Sequence, residues 1–325
     1  MPAMRLLVGT VGQSILATED FEKWERVGPR RGFHSDGIVR ALHSHPTEPN
    51  VIFAGTDKGI MRSDDGFAWR PVGGPLSSST VWSIAFDHTR PNVMFAGTGT
   101  PSLPKIFRSR DGGETWQDTN VEAASECDNV GIPRVTEIAV DPTDPRHVWA
   151  SLEVDGFRHS SDGGETWERV DVGGTYADGH GVAISPGPPK TVFLVRNNEI
   201  FATTDDGQTW ETLNTREKFP MHHVRHLIWD AWNPKAGWAS IGDYTPGDTG
   251  LLMRTTDLGK SWAPVEMPVA PNSSMWAICT QPDNPRLMFA ATRYGYLYRS
   301  DDAGQSWDKV RREFSEVAAM VWTPN

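Results

Sequence analysis

Ser109-Arg-Asp-Gly-Gly-Glu-Thr-Trp116 and Ser160-Ser-Asp-Gly-Gly-Glu-Thr-Trp167 are two copies of one phrase. Variants of it occupy 203–210, 255–262 and 300–307, a copy one residue shorter occupies 63–69, and a worn copy ends at Trp24. The closing tryptophans fall at 24, 69, 116, 167, 210, 262 and 307, with gaps of 45, 47, 51, 43, 52 and 45 residues. A period of this size marks an array of one supersecondary unit. Such a unit buries its apolar faces against its neighbours, so most of the eye-catching residues belong to the scaffold.

The segment 39–72 serves as the type unit. Val39 to His43 is an apolar run that reads as a first strand, and His45-Pro-Thr-Glu-Pro-Asn50 reads as a turn. Val51 to Gly55, Gly59 to Ser63 and Trp69 to Val72 supply three more strands, with the repeated phrase in the last hairpin. Its Asp accepts hydrogen bonds from its own turn, its Gly supplies a positive φ, and its Trp packs on a neighbouring sheet. Four short strands per unit predict a propeller blade. The chain starts on a second strand, Leu6 to Gly9, and ends on a first strand, Val317 to Trp322. The last strand is therefore expected to complete the first blade and remove an open edge. The expected fold is all-β: one seven-bladed β-propeller domain over residues 1–325.

Net charge is −11 and pI about 5.4, which argues against nucleic-acid or membrane partners. The two cysteines, Cys127 and Cys279, have no metal-type spacing and give no disulfide framework. No continuous apolar run opens the chain, so a cytoplasmic setting is expected.

The phrase Ser-x-Asp-x-Gly-x-Thr-Trp resembles the Asp-box, or BNR, repeat. Proteins similar in this respect include sialidases, xyloglucan-degrading glycosidases, sortilin-type receptors and photosystem II assembly factors. The resemblance spans nearly the whole chain and implies a propeller with Asp-boxes on outer hairpins, away from any ligand. Asp65, Asp111, Asp162, Asp205, Asp257 and Asp302 are then turn residues. Arg62, Arg108, Arg254 and Arg299 recur at one repeat position, where His159 replaces them in one unit, and a recurrent position implies a structural role.

Non-repeating polar and aromatic residues gather instead at the starts of the first strands and in the loops before them. They include His34, Asp36, Arg40, Trp82, Arg134, Glu137, Tyr176, Asp178, His180, His222, His223, Arg225, His226, Asn272, Trp276 and Glu316, with Tyr244 in a loop after a second strand. Such residues on a repetitive scaffold are what a ligand site requires, and a funnel at the hub is the expected place. Three readings follow. The leading one is a hydrolase or lyase acting on a small polar substrate, glycoside-like or carboxylate-bearing. Glu137, Asp178, His180 and His226 are its proton-transfer candidates, Arg40, Arg134 and Arg225 its anion holders, and Trp82, Trp276 and Tyr244 its aromatic walls. The second reading is a divalent transition metal on His34, His180, His222 and His226. Adjacent His222 and His223 alternate in facing on a strand, so at most one of them joins a shared metal. The third is a non-catalytic platform for a protein or ligand partner, with Trp82 and Trp276 as contact anchors.

Overall fold

In a computed structural model, which describes residues 4–34, 37–174 and 177–324, the chain forms seven four-stranded antiparallel sheets. Six of them run in chain order. The seventh joins Val317–Pro324 to Met4–Thr10, Ile15–Thr18 and Glu25–Val27, so the C-terminal strand completes the first blade. The fold is an all-β, seven-bladed propeller. Blade two consists of Val39–Ser44, Ile52–Thr56, Gly59–Ser63 and Trp69–Pro71, within one residue of the expected bounds.

The second strands explain the packing. Ile52–Thr56, Met94–Thr98 and Val148–Leu152 are buried at every position. A strand covered on both faces reads as a continuous apolar run, whereas a half-exposed strand alternates. The fourth strands, such as Glu168–Val170, are short and mostly exposed. Their brevity limits the edge available to a stray strand.

In blades three, four and seven the Asp-box packs against the blade before it. In blade three, Asp111 accepts the Thr115 N–H at 2.9 Å, while the Gly113 N–H bonds the Ser109 hydroxyl at 2.9 Å. Gly113 has a φ of +87°, and a Cβ there would lie 2.8 Å from Phe53 of the preceding blade. Gly164 repeats the contact with Phe95, and Gly304 with Trp238. Two of the recurrent arginines join this scaffold. Arg62 donates to the Gly112 carbonyl at 2.9 Å and Arg108 to that of Gly163 at 2.6 Å, each reaching the next blade's box.

The chain divides into two compact units. The first takes in residues 1–19, 23–182 and 319–325, which carry blades one to four and the start of blade five's first strand. The second takes in residues 20–22 and 183–318, which carry the rest of blade five and blades six and seven. Among the described residues, no helix is long and apolar enough to cross a membrane.

Candidate functional site

Five first strands share one irregularity. The pairing register slips at Arg40 in blade two, Trp82 in blade three, Thr136 in blade four, Arg225 in blade six and Trp276 in blade seven. Each of these residues lies five positions before its turn, and His180 holds that place in blade five. A bulge leaves one residue without a ladder partner and re-aims its side chain. Arg40, Trp82, Thr136, Arg225 and Trp276 are all partly exposed, each directly after a buried residue.

In the first unit, two guanidinium groups lie over the Trp82 ring. Arg40 is 4.2 Å and Arg134 4.8 Å from its centroid. The indole N–H donates to the Thr100 carbonyl at 3.2 Å, which fixes the ring. Arg134 pairs with Glu153 at 2.7 Å, and the Glu153 N–H returns a bond to the Arg134 carbonyl. Gly99 allows this approach, because a Cβ there would stand 2.4 Å from the Arg134 Cα. The next residue after Glu153, Val154, donates its N–H to Asp178 at 3.2 Å. Asp178 in turn lies 3.2 Å from Nε2 of His180, and both side chains are buried. Thr136 folds back, donating to the Gly179 carbonyl at 2.9 Å.

The second unit repeats the arrangement with different parts. Arg225 lies 4.4 Å and Arg293 4.3 Å from the Trp276 centroid. Arg293 pairs with Glu316 at 2.5 Å. Its counterpart in blade three is Gly99, and the counterpart of Glu316 in blade four is Arg134; each follows or precedes the same ladder pair. The second guanidinium thus enters from opposite sides of the blade junction in the two units. A cation over an indole face gains quadrupole attraction, and Arg is the residue that both stacks and forks onto a carboxylate.

Glu137 and His226 share a register position, one residue past the bulge, opposite Ser151 and Ser240. Ala41, Ser83 and Ala277 hold it elsewhere. Both are partly exposed. Tyr244 is 72% exposed, on a loop whose Asp243 accepts the Tyr244, Asp248 and Thr249 N–H groups. His34 and His222 are exposed at the surface. Among the described residues, no group of three or more His, Cys, Asp or Glu side chains comes together as a metal set. Asp36 and Tyr176 lie outside the described residues. Sequence reasoning missed Glu153 and Arg293. The signal was present, because both are charged residues following a second strand at the position where blade three has Gly99.

The carboxylates held below their ordinary range are turn and box groups, Asp144 furthest of all, through the hydrogen bond from the Arg146 guanidinium. Ser and Thr hydroxyls and turn amides hold Asp205 and Asp302 at about 2. Burial pushes the Cys127 thiol up, so it stays protonated near neutrality.

Comparison with known proteins matches the chain to two kinds of relative. The model of the photosynthesis system II assembly factor YCF48 family matches residues 61–218, just under half of the chain. A xyloglucanase of Acetivibrio thermocellus is 25% identical over 336 residues, covering 89% of this chain and 39% of that protein. The chain is related to the xyloglucanases and to the YCF48-type assembly factors. It spans about two fifths of the length of that xyloglucanase. Among solved structures, a GH74 enzyme of Niastella koreensis superposes with TM-score 0.67 at 20% identity, over 84% of this chain and 45% of that one. A structure of YCF48 bound to D1 peptide gives TM-score 0.58 at 16% identity, over 88% and 92%. These likenesses show the shared propeller fold.

Proposed function

We propose that the bulge arginine and tryptophan of each unit, with a second arginine beside the ring, recognise a carboxylate-bearing ligand. Arg40, Trp82 and Arg134 do so in the first unit, and Arg225, Trp276 and Arg293 in the second. One observation carries this reading: a second guanidinium over the bulge tryptophan is reached by unrelated sequence routes in the two units. Inheritance of a repeat explains equal residues at equal positions. It does not explain one arrangement built from opposite sides of a junction, whereas a need for paired cations beside a flat ring does. Stacking holds each fork in a fixed plane, so little side-chain entropy is lost when a carboxylate docks. The YCF48 structure with a bound D1 peptide supports a protein segment as one source of that carboxylate.

The test uses matched probes, acidic oligosaccharides and peptides beside their amidated forms. The acid forms should bind the intact protein, and Arg134→Gln and Arg293→Gln should weaken binding by about tenfold or more, the worth of a charge-assisted hydrogen bond. Equal binding of acid and amide refutes the proposal.

A second reading, turnover of a glycoside-like substrate, is favoured by the buried Asp178–His180 pair and by the xyloglucanase relatives. An Asp that accepts from a histidine fixes its tautomer and leaves the other nitrogen to move a proton. Glu137 and His226 are the remaining proton-transfer candidates of this reading. Asp178→Asn should then abolish hydrolysis of xyloglucan oligosaccharides while leaving binding intact. Wild-type protein with no hydrolysis would remove this reading and leave the first standing.

A further inference from the structure

Blades three, four, six and seven each tie the turn after the first strand to their own Asp-box. The Asn92 carbonyl accepts the Gly112 N–H, that of Arg146 the Gly163 N–H, and that of Lys235 the Leu258 N–H, at 2.8 to 3.0 Å. Turn and box residues of one blade therefore form one patch. In blade six, that patch departs from the repeat at two linked places.

The first departure is in the turn. In blades three and four, Thr89 and Thr143 close it by donating to Asp87 and Asp141, both at 2.7 Å. Blade six keeps the aspartate, Asp230, which accepts the Trp232 N–H at 2.8 Å. The threonine has become Trp232, 66% exposed. A hydroxyl that closed the turn has been exchanged for an indole presented to solvent on a firmly bonded turn. An exposed Trp of this kind is a contact residue rather than a packing residue.

The second departure is in the box. Glu114 and Glu165 each accept a guanidinium from the preceding blade, Arg62 at 3.1 Å and Arg108 at 2.9 Å. In blade six the matching box residue is Lys260, and the matching residue of the preceding strand is Ala202. Both halves of the ion pair have changed together, so the box charge is reversed without setting two cations side by side. Lys235 and Lys260 are exposed, and among the described residues neither has an acidic partner at ion-pair distance. Lys218 joins them by donating to the Lys260 carbonyl at 3.2 Å. Asp257 is engaged by its own box, accepting the Ser261 N–H and hydroxyl, and Glu217 is the exposed acidic residue beside Lys218.

We infer that Trp232, Lys218, Lys235 and Lys260 form a docking surface for a short acidic protein segment bearing an apolar side chain. Net charge decides the occupant. The chain carries −11, so an extended anionic surface such as a bilayer would meet repulsion from the whole molecule. A short segment feels only charges within a screening length of about 8 Å, and the exposed cations that the turn and box of blade six present are Lys218, Lys235 and Lys260.

The experiment is fluorescence anisotropy with a labelled peptide of glutamates around one central leucine, at low salt. The full chain should bind it. Lys235→Glu and Lys260→Glu should each weaken binding about fivefold to tenfold, Trp232→Ser by a similar factor, and raised salt should abolish it. A glutamine-for-glutamate peptide should not bind. In an Arg134→Gln, Arg293→Gln background, which removes both proposed carboxylate sites, the three patch variants should weaken binding by the same factors, so failure here and failure there are separable. The inference is overturned if the wild-type chain ignores the peptide, or if the three variants bind as wild type does. It is equally overturned if phosphatidylserine vesicles bind the wild type and Lys260→Glu abolishes that binding, which assigns the patch to lipid.

Discussion

Asp302→Asn isolates what one Asp-box carboxylate is worth. Asp302 accepts the N–H groups of Gln305 and Ser306 at 2.9 Å each, the Ser300 hydroxyl at 2.8 Å and the Ser306 hydroxyl at 2.6 Å. The Ser306 hydroxyl is the largest cause that holds the carboxyl at about 2, against an ordinary value of 3.8. The gap corresponds to about 2.5 kcal/mol at about 1.4 kcal/mol per pH unit. The group is partly exposed, and solvent screening reduces this to about 1 kcal/mol. The folded value lies below the unfolded one. The stabilisation is therefore complete above about pH 4 and decays as pH falls through about 2. Asn keeps the size and one acceptor oxygen but carries no charge. The variant should be about 1 kcal/mol less stable than wild type at pH 7 and equal to it near pH 2. Urea unfolding at a series of pH values reads this difference directly. A stability gap that stays constant from pH 7 to pH 2 would refute the charge argument and leave only lost hydrogen bonds.

Two further outcomes follow from contacts on either side of the bulges. Gly99→Ala places a methyl group against the Arg134 backbone, and overpacking of this kind costs about 1–3 kcal/mol. It should lower the thermal midpoint and weaken binding of acidic probes at the first unit together; a stability loss with binding unchanged would disconnect Arg134 from recognition. Arg108→Ala removes a buried side chain that reaches the Gly163 carbonyl and Glu165, and should cost about 2 kcal/mol in urea unfolding. Arg110→Ala removes an exposed partner of the same Glu165 and should cost less than about 0.5 kcal/mol. Equal effects of the two would deny the clamp between blades.

The blades were legible because their signals are local and repeated. Prolines mark each turn, the Asp-box marks each last hairpin, and continuous runs such as Ile52–Thr56 mark strands buried on both faces. Repetition multiplies a weak period-two signal, which is why the strand bounds in blade two came within one residue. The bulges were not legible. Nothing about Val39-Arg40-Ala41 or Val81-Trp82-Ser83 differs from a regular strand, because the slip depends on the pairing partner and not on local propensity. Candidate residues were found by their failure to repeat. Their company was not, since Arg134 beside Trp82 joins segments about fifty residues apart. His222 lies just before the strand that begins at His223, so alternation along that strand does not govern it.

The division of labour within each blade bears on how such a chain acquires function. A second strand buried on both faces tolerates little change, because any added volume meets a neighbouring sheet. A bulge residue has lost its ladder partner and part of its cover, so its side chain varies at small cost to the fold. Six blades hold Arg, Trp, Thr, His, Arg and Trp at that one position, while the residues on either side remain small or apolar, apart from Glu137 and His226. Variation concentrated where it costs least would arise without selection. The two Arg–Trp–Arg arrangements argue otherwise. Random drift at a permissive position yields different residues in different blades, but not the same pair of cations around the same ring from opposite sides of a junction. Stability does not require that pairing, since other bulge residues, Thr136 among them, sit in the same scaffold without it. The carboxylate-bearing ligand proposed above would impose such a requirement, since it needs two guanidinium groups beside a flat ring.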